Sequence, residues 1–147
     1  MYQKILVPLD GSALAECSID QVMNFSQTGS AGEVILLNVL DPLSWCMEGR
    51  DFVAFRNAQL KKIRDYLEKI GSRLASAGIN VRSEIVEGSM PASYIVKYAK
   101  EHEADLIIIA SHGNTGMKKL MFGSVALEVL HDSHVPVLLI KPASLSG

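Results

Sequence analysis

The chain has 147 residues, of which 48% are apolar and 20% charged, and it carries a formal net charge of −2. That balance excludes a disordered chain and suits one domain with its own core. It offers nucleic acid no basic stripe, and its longest apolar runs, 106–110 and 135–140, fall far short of a membrane span.

In chain order, Lys4–Leu9 is a compact apolar run that ends in Asp10-Gly11-Ser12, a turn with the residues of a helix cap. Ala15, Ile19, Val22 and Met23 then fall at helical spacing, and Gly29 and Gly32 are expected to close that helix. Glu33–Val39 is apolar on both faces, as a strand buried in a parallel sheet must be. After an irregular stretch opened by Asp41-Pro42, a stripe of Leu60, Ile63, Leu67, Ile70 and Leu74 predicts a helix packed on the sheet and ended by Gly78. Asn80–Glu87 alternates as a third strand. Gly88-Ser89-Met90-Pro91 predicts a helix start with Ser89 as cap and proline in the first turn, burying Ala92, Ile95, Val96 and Ala99. Asp105–Ala110 is the fourth strand, Val125, Ala126, Val129 and Leu130 mark the fourth helix, and Val135–Lys141 is the fifth strand. One domain over 1–142 and a flexible tail over 143–147 are expected.

Five strands alternating with four helices predict an α/β fold: a single-domain, open five-stranded parallel sheet with helices on both faces, Rossmann-like, with right-handed crossovers. Ligands bind such sheets outside the carboxyl ends of the strands, at the switch point. That rule selects Asp10–Ser12, Val39–Asp41, Gly88 and the 110–126 connection.

The last of these, ASHGNTGMKKLMFGSVA, is the chemically informative stretch. It contains no Walker A loop, and no dinucleotide fingerprint occurs in the chain. Gly113 and Gly116 would allow backbone N–H groups to approach an anion, with Lys118 and Lys119 adding charge. Gly123-Ser124-Val125 would present free N–H groups and a hydroxyl at a helix N-terminus, where a phosphate is favoured. The same residues also read as a long connection with Ser124 as an ordinary cap.

Taken together, KILVPLDGS, VILLNV, ASHG-x9-GSVA and VPVLLIK resemble the universal stress protein family along essentially the whole chain. The nucleotide-binding branch of that family carries G-x-x-G-x9-G-[ST]. Gly113, Gly123 and Ser124 match it, and Ala110 stands where the first glycine would be. The resemblance implies an adenine-binding α/β fold holding ATP, with Mg²⁺ or Mn²⁺ on the phosphates. Pro8 and Asp10 would face the adenosine, and Val39 would present main-chain groups to the adenine edge. Ala110, Ser111, His112, Gly113 and Gly116 would wrap ribose and phosphates, while Gly123, Ser124, Val125 and Ala126 would hold the phosphate tail. It also implies a homodimer through the edge of the C-terminal strand, where Pro136 sits early enough to leave later N–H groups free.

Other residues carry weaker chemistry. His131 and His134 have metal-ligand spacing, but no third ligand is evident and a helix C-terminus attracts histidine anyway. His112 is more readily a backbone or ribose contact than a base. Cys17 reads as a small core residue and Cys46 as a loop thiol; the two are too few for a disulfide framework. Trp45, Met47, Phe52 and Phe55 either cap the cleft, form a subunit contact or pack a loop on the sheet. No signal peptide pattern opens the chain, so a cytoplasmic location is expected. A regulatory stress-response module without efficient catalysis is therefore the preferred reading. A nucleotide-dependent enzyme that hydrolyses or adenylates, and an interaction module without nucleotide, are the alternatives.

Overall fold

The structure is a computed structural model that describes residues 2–12, 15–29, 31–42, 49–111 and 123–141. Its elements run β1 (Tyr2–Pro8), α1 (Cys17–Gln27), β2 (Ala31–Leu40), α2 (Gly49–Ser76), β3 (Asn80–Glu87), α3 (Pro91–Glu101), β4 (Leu106–Ala110), α4 (Ser124–Asp132) and β5 (Val137–Ile140). The five strands form one sheet in the order β3-β2-β1-β4-β5, and every neighbouring pair is parallel. This is the predicted α/β architecture, and its direction of winding reverses between β1 and β4.

Two cores flank the sheet because successive strand side chains point to opposite faces. Ile5, Val7, Val34, Leu36 and Ile108 pack with Ile19 and Val22 of α1 and Leu67, Ile70 and Leu74 of α2. Leu6, Ile35, Leu37, Ile107 and Ile109 pack with Ile95 and Ala99 of α3 and Ala126 and Val129 of α4. The strands that read as apolar on both faces are therefore the ones covered on both faces.

Several local expectations need correction. Gly32 does not close α1; it lies inside β2, where a Cβ would collide with the Gln3 carbonyl oxygen of β1. Gly29 does follow the helix, with φ +69°. Ser89 is not the cap of α3: Met90 occupies that position, no side-chain cap bond forms, and Pro91 opens the helix as predicted. The N-cap of α4 is Gly123, so Ser124 is its first helical residue. Ala15 precedes α1 in a turn, and α2 begins well before its apolar stripe. The predicted tail, 143–147, lies outside the described residues.

Candidate functional site

The cleft lies where the switch point places it. Pro8, Leu9 and Asp10 leave β1, Leu37 and Val39 leave β2, and Ile109, Ala110 and Ser111 leave β4. With Pro91 and Ile95 of α3 and Gly123, Ser124, Val125 and Ala126 at α4, they enclose about 190 Å³. Every described residue of the predicted site lines this space: Pro8, Asp10, Val39, Ala110, Ser111, Gly123, Ser124, Val125 and Ala126. His112, Gly113 and Gly116, with Lys118, Lys119, Trp45, Cys46 and Met47, lie outside the described residues.

Two ends of a long connection meet here. The Gly123 N–H donates to the Ser111 carbonyl, and the Ser111 N–H donates to the Ile140 carbonyl at 2.7 Å. The start of α4 is thereby pinned to the end of β4 and both to β5. This corrects one expectation, because the Gly123 N–H is occupied. The donors that the helix leaves unused are the next three, on Ser124, Val125 and Ala126, since the first helical bond runs from Leu127 N–H to Gly123 C=O at 3.1 Å. Ser111 is 1% exposed, and its Oγ has no hydrogen-bond partner among the described residues. A buried hydroxyl without a partner beside a helix N-terminus is suited to a polar ligand.

The β1–α1 turn forms the other wall. Asp10 Oδ1 accepts from the Ser12 N–H at 2.9 Å, and Ser12 Oγ accepts from the Ala15 N–H at 3.2 Å. The predicted cap thus closes a turn ahead of α1, with Gly11 at φ +89° allowing the reversal. Tyr66 of α2 donates to the Ser12 carbonyl at 3.3 Å; burial, followed by the nearby Glu16 and Asp10, pushes its phenol well above the ordinary value. The hydroxyl therefore stays protonated and remains a donor.

The remainder of the cleft is apolar, and most of that surface escaped the sequence reading. Leu9, Ala15, Leu37, Pro91, Ile95 and Ile109 line it, yet Leu37, Ile95 and Ile109 also obey the period of their own elements. Pro91 was the available signal, since it follows the Gly88 strand end that the switch-point rule selects.

Other candidates are not gathered into a site. His131 Nδ1 pairs with Asp132 Oδ1 at 2.7 Å, and among the described residues no group of three or more His, Cys, Asp or Glu could hold a metal. Cys17 is half-buried rather than in the core; burial, then Asp20, pushes its thiol up, away from a reactive thiolate. Among the described residues no helix is long and apolar enough to cross a membrane.

An open parallel sheet with helices on both faces and a crevice over its switch point defines a Rossmann-like ligand-binding domain. Within that class, the sequence matches the universal stress protein family over residues 1–141, and the chain belongs to this family. It is 34% identical to the universal stress protein MJ0577 of Methanocaldococcus jannaschii, with 96% of each chain aligned. The solved MJ0577 structure superposes with a TM-score of 0.87 at 38% identity, covering 96% of both chains. UspA of Lactobacillus plantarum gives 0.82 at 26% identity, covering 95% of this chain and 97% of its own. Two members at lower identity share the fold: one in complex with cAMP (22%, TM-score 0.69, covering 97% and 98%) and one from Arabidopsis thaliana with AMP bound (19%, 0.72, covering 97% and 93%).

Proposed function

We propose that this chain is an ATP-binding universal stress protein. It holds the nucleotide at the carboxyl ends of β1 and β4 and works as a dimeric, cytoplasmic regulatory module in the stress response. The observation that carries the reading is the pinning of Ser111 to Gly123, which sets three N–H groups of α4 and the Ser111 hydroxyl into one wall of an otherwise apolar cleft. An adenine ring suits the apolar side and a phosphate tail the helix start.

In this reading Pro8 and Asp10 face the adenosine and Val39 offers its main chain to the adenine edge. Ala110 and Ser111, with His112, Gly113 and Gly116, surround ribose and phosphates. Ser124, Val125 and Ala126 donate to the phosphate tail, and Gly123 permits its approach. Asp10 is the one carboxylate among the described cleft residues. A divalent ion would therefore arrive on the phosphates and be held by them, with no ligand cluster among the described residues. Family members with cAMP and AMP support an adenine nucleotide as the ligand class.

The dimer is supported by β5, an apolar strand at the sheet edge, and by Leu127 and Leu130 of α4, which are 44% and 47% exposed. An edge strand with one side free and exposed apolar side chains on the neighbouring helix are suited to a second copy.

Calorimetric titration of ATP with Mg²⁺ or Mn²⁺ into wild type and Gly123→Val tests the nucleotide. Gly123 has extended backbone angles, φ −62° and ψ 144°, so valine acts by filling the phosphate approach and not by straining the chain. Micromolar binding that valine abolishes, with ATP recovered intact, is the expected result. Rapid conversion of ATP would replace the regulatory module by an enzyme. Absence of binding to wild type would remove the nucleotide.

A further inference from the structure

The ladder between β1 and β2 ends where the cleft begins. Pro8 pairs with Leu37, and the Leu9 N–H donates to the Leu37 carbonyl at 2.8 Å. One step further a side chain continues the ladder: Asn38 Nδ2 donates to the Leu9 carbonyl at 2.8 Å. Asn38 is 3% exposed and stands in a strand run that is otherwise apolar from Val34 to Leu40. Its Oδ1 is buried without a hydrogen-bond partner among the described residues.

Burying an amide with one end unused is costlier than burying a leucine of similar size, so stability alone does not account for this residue. What the amide does hold is the exit of β1. Leu9 leads directly into Asp10, whose carboxylate is oriented by Ser12, and Tyr66 supports the same turn from α2. Leu9 and Val39, the residue after Asn38, both line the cleft, whereas Asn38 itself does not.

We propose that Asn38 is a positioning residue: its amide fixes the separation of the two strand exits, Leu9–Asp10 and Val39, and thereby sets which base fits between them. The proposal rests on the nucleotide reading above and adds to it the origin of base selectivity. A two-strand gap held by one buried hydrogen bond is rigid where a backbone ladder has already ended, which is the requirement for a discriminating site.

Asn38→Leu removes the donor and leaves the Leu9 carbonyl unpaired. We expect ATP affinity to fall about tenfold and the preference for ATP over GTP to shrink by a similar factor, the worth of about one hydrogen bond. A purely structural role would weaken both nucleotides equally or neither, and either pattern overturns the proposal. So does a wild type that binds ATP and GTP alike. The ligand-free protein supplies a separate readout, because amide shifts in nuclear magnetic resonance should change at Leu9–Ser12 and Val39 and little elsewhere. Unchanged shifts there overturn the positioning role even where nucleotide binds. A wild type that binds neither nucleotide ends the ATP reading and base selectivity with it, while the shifts still decide whether Asn38 holds the strand exits. Asn38→Ser, too short to reach the Leu9 carbonyl, is expected to give the same pattern and serves where the leucine variant does not fold.

Discussion

Gly32→Ala should destabilise this protein far more than a single added methyl suggests. A Cβ at Gly32 would collide with the Gln3 carbonyl oxygen and stand 3.0 Å from its carbon and 3.1 Å from the Gln3 Cα. All three are backbone atoms of the adjacent strand, so no rotamer change relieves the contact. Relieving the contact requires β1 and β2 to move apart. That shift stretches the ladder at the flanking pairs, Tyr2 with Ala31 and Lys4 with Glu33. Overpacking together with a weakened ladder bond costs about 2–4 kcal/mol. For a domain of this size that corresponds to a fall in Tm of roughly 6–12 °C. Gly32 lies at the amino end of β2, opposite the cleft, so nucleotide affinity should be unchanged. Thermal unfolding by circular dichroism, repeated as a urea titration, measures the loss. A variant whose Tm stays within about 1 °C of wild type would refute the claim that strand approach excludes a side chain here.

Three further outcomes are expected. Leu130→Glu puts a charge on the exposed side of α4 and should turn the proposed dimer into a monomer in sedimentation experiments; a dimer mass kept by the variant would remove α4 from the interface, and a monomeric wild type would remove the dimer. Arg56 forms two hydrogen bonds to Glu87, at 2.7 and 2.8 Å, which hold that carboxyl below its ordinary 4.5. A carboxyl lowered by folding contributes stability above the ordinary value and loses it as pH falls through the folded one. Because the pair is solvent-exposed the effect is small, and Glu87→Gln should lower the neutral plateau of urea midpoints slightly and flatten the acid limb, the two proteins converging at low pH. Tyr66 behaves in the opposite sense: its raised phenol contributes stability below the ordinary tyrosine value of about 10 and loses it as pH rises beyond that. In ultraviolet difference titration Tyr66 should ionise only with alkaline unfolding, in a late step shared with the buried Tyr98, and Tyr66→Phe should reduce the amplitude of that step; early, reversible ionisation of all four tyrosines would contradict the burial.

The strands were legible because a sheet covered on both faces demands unbroken apolar runs, and Leu106–Ala110 and Val34–Leu37 have few alternatives. The crevice was legible for a topological reason: once β4 returns to the far side of β1, Asp10 and Ser111 must come close together. Ser89 misled because a serine before proline has cap chemistry, whereas the chain turns one residue later and Met90 takes the position. The first turns of α2 could not be read from periodicity, since 49–59 lie ahead of the buried stripe and carry no continuous apolar face. Leu37, Ile95 and Ile109 were invisible as site residues because the same side chains that fill a core also line an apolar cleft. Asn38 was visible as a letter, but only the Leu9 carbonyl gives it a purpose.

The two outer strands differ in what they offer to another chain. On β3, Arg82 is bridged to Glu33 and Glu84, and Glu87 to Arg56, so fixed charge guards that margin. On β5, Val137–Ile140 is apolar and half-buried throughout. The sheet thus has a valence of one for strand addition. A contact that uses β5 would consume the apolar margin of both copies and leave the charged β3 as the outer edge of each sheet of five.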